Sequence, residues 1–491
     1  MEKVDGILHK FLAKSAGIFS TKSSSKEDYV NVPKEEVEED CSDEVYELGG
    51  KACMSGEETT GEDEMGECKW TQSENIEDVD KKQKTSSLQA AWNISNLIQG
   101  TGTLGIPYAV SQGGYLSLVA IVIIALITNY TGKLIIECLY EKPEGDDGKR
   151  GRRLRNSYAE LGQTCWNRNG ALLVCGAQIM QLTCACALYL MLVADFFNDV
   201  FEERPISVTA WMLLSGLLVL PSVFINQLSR ISWLSMFSVF ALVVVFMAVV
   251  GYGLSQRHAW DSHMPLTTLG GFPVSWGIIL FSFVSHPYLP GIEETMSSPE
   301  SFDSVMNYSF FISAITKVVY GFVAVLTFKE NTKQEISENL PPGVLENSTN
   351  ALLGLNGLFS FALPAFTLFN VFDNLKMPCL PRCFPDEVSG PLDSYEKTRI
   401  YSLRVVFVGV VIAIAVLIPE FSLLMAVIGS LSGVCLTLIF PPLFDVILNL
   451  NSISPAKYVL NMVIVCVGIL SGGFGFVFSV IALMKVYLRG T

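Results

Sequence analysis

Three ionisable side chains lie in stretches of the chain that are otherwise apolar enough to cross a membrane. His286 and Glu293 flank a proline-rich interruption, and Lys317 lies in the next apolar block. Charge at membrane depth is costly and usually reflects function, so all three are candidates for proton coupling, with histidine titrating closest to neutral pH. Structural alternatives remain open. His286 could satisfy a carbonyl freed by the prolines, and Glu293 could stabilise the dipole of a half-helix that starts near Pro290. Lys317 either pairs with a carboxylate or takes the place of a bound cation.

A glycine-rich stretch in the first apolar block, Gly100-Thr101-Gly102-Thr103-Leu104-Gly105-Ile106-Pro107, could bind an anion. Each glycine in a helix interior costs roughly 1 kcal/mol relative to alanine, whereas Pro107 suits the first turn of a new helix. We therefore predict a helix break. Open backbone within a membrane is tolerated only where it is buried in protein or lines a polar cavity. We expect the free N–H groups of this stretch to bind a carboxylate.

A second interruption, at Ser282 to Pro290, contains two prolines that remove backbone hydrogen bonds. Interrupted helices at corresponding positions of two repeats indicate a transporter site near the membrane midplane. The alternative is that both are ordinary proline kinks. Free carbonyls at the second break could bind an ammonium group, so the pair suits an amino acid or a related zwitterion. The candidate substrate-binding residues are Asn96, Gly100, Thr101, Gly102, Thr103, Gly105, Ser282, Ser285 and Tyr288.

Long apolar blocks make the chain a polytopic, all-α membrane protein: 50% of its 491 residues are hydrophobic and only 16% are charged. Residues 1–86 carry most of the acidic excess and are predicted to form a disordered cytoplasmic tail, whereas 87–488 form the transport domain. We predict eleven spans, with the first and sixth discontinuous and with spans one to five and six to ten forming two repeats of opposite orientation. The predicted spans are 87–112, 114–139, 168–196, 206–225, 230–254, 272–297, 304–328, 350–374, 400–419, 421–448 and 457–486.

Lysine and arginine in short loops set the predicted orientation. The basic loop from Lys149 to Arg155 belongs in the cytoplasm as a topology determinant, and an alternative role is contact with anionic lipid. The N-terminus is then cytoplasmic and the C-terminus lumenal. In agreement, the sequon at Asn347 falls on the lumenal side, where glycosylation is possible. Tyr29-Val30-Asn31-Val32 has the form of a signal read by sorting adaptors.

The sequence contains no nucleotide-binding loop, no cluster with metal-ligand spacing and no nucleophile constellation. We therefore predict no catalytic residue, metal, cofactor or nucleic-acid partner, and we do not expect an enzyme.

Several motifs resemble the amino acid/auxin permease family of the APC superfamily, and within it the vesicular inhibitory amino acid transporters. The similarity covers about residues 87–488. The residues that carry it are Ala91-Trp92-Asn93-Ile94-Ser95-Asn96, Gln99-Gly100, Leu104-Gly105-Ile106-Pro107-Tyr108-Ala109, Gly113-Gly114-Tyr115-Leu116, Tyr130-Thr131-Gly132-Lys133, Cys138-Leu139-Tyr140-Glu141, Leu289-Pro290 with Glu293, Met306-Asn307, Lys317 and Glu338-Asn339-Leu340-Pro341.

This resemblance implies a LeuT-like core that moves small neutral amino acids (GABA, glycine and β-alanine) into acidic synaptic or secretory vesicles by proton-coupled alternating access. Chloride is a further candidate ligand. The chain departs from those carriers at Thr101-Gly102-Thr103, which is more like the family's general permeases, and at His286, where the relatives have a glutamine. The alternatives are a lysosomal or plasma-membrane proton-coupled permease and an amino-acid sensor that signals through its tail.

Overall fold

A computed structural model of the protein describes residues 84–141, 151–201, 206–260, 264–375, 381–384 and 393–490. They belong to one compact unit, Trp70–Thr491. Residues 1–83 of the predicted tail, with the Tyr29 signal, lie outside the described residues; of its last three residues, Thr85 is buried and forms a β-bridge with Met296. Within them the chain forms helices and two isolated β-bridges. The helices are α1 Ser87–Gln99, α2 Thr101–Leu104, α3 Ile106–Gly113, α4 Leu116–Leu139, α5 Tyr158–Val200, α6 Val208–Val219, α7 Leu228–Ser255, α8 Phe272–Phe281, α9 Leu289–Thr295, α10 Phe302–Phe328, α11 Val344–Ser360, α12 Ala362–Asn374, α13 Ser394–Leu417, α14 Phe421–Ile428, α15 Phe440–Leu448 and α16 Pro455–Gly490.

Eight helical segments of the described chain are long and apolar enough to cross a membrane. The other three predicted spans are those with an interruption or a short helix: the first span is divided into α1 to α3, the sixth into α8 and α9, and the fourth is the short apolar segment Val208–Phe224. The two discontinuous helices are confirmed, and the count of eleven stays a prediction. Large apolar side chains such as Leu126, Phe240 and Phe311 are exposed on the outer surface, as expected of a surface in contact with lipid.

Helix packing follows a two-repeat pattern. The first helix of each repeat packs on the last, α1 on α7 and α8 on α14. The half-helix α3 packs on α10, and its counterpart α9 packs on α4 in the same way. The third helix of one repeat likewise meets the fifth of the other, α11 on α7 and α5 on α14. These matched pairs place both broken helices at the centre of the bundle.

Several helices extend beyond their predicted bounds, among them α5 and α11. The third predicted span begins at 168, but α5 begins at Tyr158. The helix changes direction near the predicted start, because Trp166 and Asn167 have non-helical backbone angles. The eighth predicted span begins at 350, but α11 starts at Val344. The sequon residue Asn347 therefore lies in a helix, exposed at its first turns, whereas Thr349 of the same sequon is buried. Glycosylation at Asn347 stays a prediction.

Candidate functional site

The first helix break is confined to Gly100, whose ψ of −143° ends α1. A single turn, α2, follows, and α3 then begins at Ile106 with Pro107 in its first turn, as the sequence predicts. A Cβ on Gly100 would lie 2.5 Å from the Tyr189 hydroxyl oxygen and 2.8 Å from the Asn96 carbonyl oxygen. Glycine is therefore needed here because a tyrosine side chain approaches the backbone closely.

Tyr189 of α5 is a site residue that the sequence did not reveal. Its hydroxyl lies within hydrogen-bonding reach of the Thr101 backbone and of the Ser360 side chain, so it joins the first break to α5 and α11. A tyrosine within a long apolar block has no distinctive spacing. Only the packing of α5 against the glycine could have identified it.

The second break covers residues 282–288, which separate α8 from α9. Lys317 of α10 is fully buried beside it. Its Nζ donates to the Ser282 carbonyl oxygen at 2.6 Å and to the Ser282 hydroxyl at 2.9 Å, and lies 3.6 Å from the centre of the Phe283 ring. Among the described residues no carboxylate contacts this ammonium. Pairing with a carboxylate is therefore not seen among the described residues, and the role of Lys317 as a stand-in for a bound cation stays a prediction.

The two breaks touch each other. A Cβ on Gly102 would lie 2.5 Å from Ser282 Cα and 2.6 Å from Ser282 Cβ. Gly102 therefore permits close contact between two main chains, where we expected it to admit a ligand. The Ser282 carbonyl, expected to be free for a substrate ammonium, is already bonded to Lys317.

Several other predicted substrate residues have different surroundings from those expected. Asn96 is not a pocket wall, because its Oδ1 accepts from Ser238 at 2.9 Å and from Ser360 at 3.0 Å in a buried network between helices. Gly105 lies against the Met425 side chain. Thr103 lines a cavity of about 220 Å³ between α7 and α10, away from the second break.

Tyr288 is the predicted substrate residue that lines a large cavity. This cavity, of about 450 Å³, extends from the end of the bundle that holds Asn156 and Asn374 to the second break. We call that end the basic face, since it also holds Arg152, Arg153 and Arg155. The walls come from α5, α9 and α12, and Gln178 contributes a polar side chain. The Ser285 hydroxyl, fully buried, has no partner among the described residues.

His286 points away from the first break and towards α4. Its Nε2 lies 2.9 Å from the Thr131 hydroxyl, and its Nδ1 has no partner in the described part of the chain. It does not satisfy a freed carbonyl, as one alternative proposed, but bonds to a neighbouring helix.

Glu293 is fully buried and paired. One carboxylate oxygen accepts from the Tyr140 hydroxyl, and the other lies 3.0 Å from Nη1 of Arg153. Because α9 starts at Leu289 and has seven residues, Glu293 is past its first turn. The helix-dipole alternative for Glu293 is therefore wrong.

Further buried ionisable groups were not singled out from the sequence. Arg404 is buried and donates to the Val223 and Cys383 carbonyl oxygens. Asp445 accepts from Asn461 at 2.8 Å and from Lys457 at 3.2 Å. Both bind residues of other segments and therefore join parts of the bundle together, although Arg404 Nε has no partner among the described residues.

An acidic cavity of about 290 Å³ lies at the opposite end of the bundle, which we call the acidic face. Its carboxyl groups are Asp195, Asp199, Glu335, Glu338 and Glu346. Burial, and then the neighbouring Asp195 and Glu338 carboxyl groups, raise the pKa of Glu335, which lies in the connection between α10 and α11.

We expect the carboxyl groups of this cavity to contribute more to the free energy of unfolding at low pH than at high pH. A carboxyl group whose folded-state pKa is raised binds its proton more tightly in the fold. Its stabilising contribution is full below the unfolded-state pKa and is lost as pH rises through the folded-state pKa. Glu335→Gln should flatten the pH dependence of the thermal unfolding midpoint in detergent, and Glu330→Gln, at an exposed glutamate nearby, should leave it unchanged. An unaltered profile for Glu335→Gln would contradict this assignment.

Gly100→Ala should weaken substrate binding and lower the thermal unfolding midpoint, because its methyl group overlaps the Tyr189 hydroxyl. Overpacking of this kind costs about 1–3 kcal/mol. Gly176→Ala is the control, since a Cβ there meets nothing within 4 Å. If the overlap is the cause, adding Tyr189→Phe should recover part of the lost stability. Equal midpoints for Gly100→Ala and Gly176→Ala would exclude a close approach.

A helical membrane domain with two broken helices meeting at its centre, and a cavity leading to the second of them from one face, is the architecture of a secondary transporter. Comparison with known proteins gives the same class: residues 83–482 match the family described as "Transmembrane amino acid transporter protein". The chain belongs to this family of transporters and is not an enzyme.

Individual proteins similar to this chain are also found. The chain is 33% identical to the vesicular inhibitory amino acid transporter of Xenopus tropicalis, over 83% of this chain and 79% of that one. It is 31% identical to the vesicular GABA transporter of Caenorhabditis elegans, over 73% and 72%. Among solved structures it is similar to a manganese transporter of Eremococcus coleocola, with a TM-score of 0.49 and 14% identity over 81% of this chain and 95% of that one.

Proposed function

We propose that this protein loads small neutral amino acids into acidic vesicles, with GABA and glycine as the first candidates and β-alanine as a third. It works by alternating access and is coupled to the proton gradient. The observation that carries the proposal is the contact between the two helix breaks at Gly102 and Ser282, with the Lys317 ammonium bonded to Ser282. The names of the relatives support the substrate class and the vesicle membrane.

The substrate carboxylate is assigned to the first break and to Lys317, whose ammonium supplies a positive charge. Tyr189 and Ser282 contact the backbone at Thr101 and Gly102, so these contacts must open for the N–H groups of the first break to bind the carboxylate. Because the Ser282 carbonyl is occupied, the substrate ammonium is assigned to the unpartnered Ser285 hydroxyl and to Tyr288, which lines the cavity. A short zwitterion suits this arrangement.

Proton coupling is assigned first to Lys317, among the three predicted groups. Its charge is held by a carbonyl, a hydroxyl and an aromatic ring. Loss of the proton removes the charge that holds Ser282, so protonation and the geometry of the break are linked. His286 contacts Thr131 of α4 and Glu293 contacts Arg153, and neither contact reaches the other break.

A competition panel on purified protein tests the substrate class. We expect GABA, glycine and β-alanine to compete with one another for bound label and to raise the thermal unfolding midpoint, because a ligand that binds only the folded state stabilises it. Glutamine and alanine, as larger or α-substituted neutral amino acids, should compete less. Tighter binding of glutamine than of the first three would favour a general permease instead.

A further inference from the structure

Arg153 belongs to the basic loop before α5, but its guanidinium points into the protein. Nη1 lies 3.0 Å from Glu293 Oε2, and Nη2 donates to the Pro290 carbonyl oxygen at 3.3 Å. Its Nε donates to the Arg155 carbonyl oxygen at 3.2 Å. The side chain is only 18% exposed. Arg153 therefore contacts α9 at three points: the Glu293 carboxylate, the Pro290 carbonyl and, at 3.6 Å, the exposed Glu294 carboxylate.

Glu293 forms a buried ion pair with this arginine. The carboxylate is completely buried, and its other oxygen accepts from the Tyr140 hydroxyl. Removing one member of a buried ion pair is strongly unfavourable, whereas replacing both members can be nearly neutral. Loss of Arg153 would therefore weaken the attachment of α9 to the basic loop.

The end of α9 is also tied to the chain that enters α1. Thr85 N–H donates to the Thr295 carbonyl oxygen at 2.7 Å, and Ser297 N–H donates to the Thr85 carbonyl oxygen at 2.8 Å. The segment that leads into α1 is therefore hydrogen-bonded to the end of α9 and to the residues that follow it at the basic face. A displacement of α9 would be transmitted to the first broken helix.

The half-helix α9 also lines the cavity at the basic face. Pro290, Gly291, Ile292 and Glu294 contribute to its lining, and Tyr288 immediately precedes α9. The position of α9 therefore sets both the width of this cavity and the location of Tyr288.

We propose that Arg153 is a positioning residue for transport: through Glu293 it holds α9 as a wall of the cavity that leads to the second break. This inference rests on the proposed function, since it assigns that cavity to the substrate. In this proposal Glu293 anchors α9 to the basic loop, and Arg153 has a role beyond setting topology or contacting lipid.

The test is a double-mutant cycle in a transport assay with substrate supplied at the basic face. The variants are Arg153→Met, Glu293→Gln and the two combined. Arg153→Met should raise the KM for uptake by at least about tenfold, because one member of a buried ion pair is removed. The combined variant should return the KM to within about threefold of wild type, since both members of the Arg153–Glu293 pair are then neutral. Arg152→Met is the matched control: it removes the same charge from an exposed neighbouring arginine and should leave the KM unchanged.

Two results would overturn the inference. One is a combined variant as impaired as Arg153→Met, which would show that the arginine does not act through Glu293. The other is a Glu293→Gln variant that keeps equilibrium exchange but loses uptake driven by a pH gradient, the signature of a proton carrier. If Arg153→Met does not fold, Arg153→Lys with and without Glu293→Gln provides the same comparison. Wild-type uptake in the same assay tests the proposed function separately.

Discussion

Replacing Lys317 by glutamine is expected to abolish uptake driven by a pH gradient while leaving exchange between equal substrate pools measurable. Glutamine can still donate to the Ser282 carbonyl and hydroxyl, which Lys317 now binds at 2.6 and 2.9 Å, but it cannot gain or lose a charge. Coupling would be lost because substrate movement no longer alters a protonation state. The measurement is radiolabelled flux into liposomes, with and without an imposed gradient, at matched amounts of folded protein.

Two further variants make the Lys317 result interpretable. Lys317→Met should lose both modes, because it leaves the buried Ser282 groups without a donor, at a cost of about 1–3 kcal/mol for an unsatisfied group. Lys485→Met makes the same change at an exposed lysine near the end of α16 and should transport normally. Full gradient-driven uptake by Lys317→Gln would remove Lys317 as the coupling residue.

Gly102→Val should abolish substrate binding and destabilise the fold. The nearest atoms to a Cβ at Gly102 are Ser282 Cα and Cβ, at 2.5 and 2.6 Å. A main chain cannot rotate aside as a flexible side chain can, so the two breaks must separate. Overpacking costs about 1–3 kcal/mol in a well-packed core, and here it falls on the contact that forms the site. Binding of labelled substrate and the thermal unfolding midpoint should both fall.

Gly409→Ala is the matched control for Gly102, since a Cβ at that helical position meets nothing within 4 Å. Gly102→Ala should have an intermediate effect, because even one methyl group overlaps Ser282. If Gly102→Val binds substrate with wild-type affinity, the breaks do not need to touch in the binding state.

Local backbone chemistry made the two breaks predictable. The glycine and proline pattern alone located the first interruption. The structure agrees with it, because Gly100 cannot be replaced without overlap and Pro107 occurs in the first turn of α3. Pro287 and Pro290 located the second in the same way. The paired placement of two such breaks also predicted the class of protein.

Partners distant in sequence could not be predicted. The sequence left two roles open for Lys317 and did not reveal its contact with Ser282, which lies 35 residues away in the chain. Arg153 was counted as a loop charge because its reach to Glu293 depends on the fold. Asn96 has a residue type suited to a pocket, but its position on α1 directs it to Ser238 and Ser360. Polar residues in membrane helices often serve such interhelical contacts.

Proton-driven loading of small neutral amino acids into vesicles can be measured with wild-type protein in liposomes. Labelled GABA, glycine and β-alanine are supplied outside, with the interior acidic, and alanine and glutamine are compared in parallel. We expect concentrative uptake of GABA, glycine and β-alanine, and we expect a protonophore, which removes the proton gradient, to abolish it. No gradient-driven uptake of GABA, glycine or β-alanine under these conditions would contradict the proposed function.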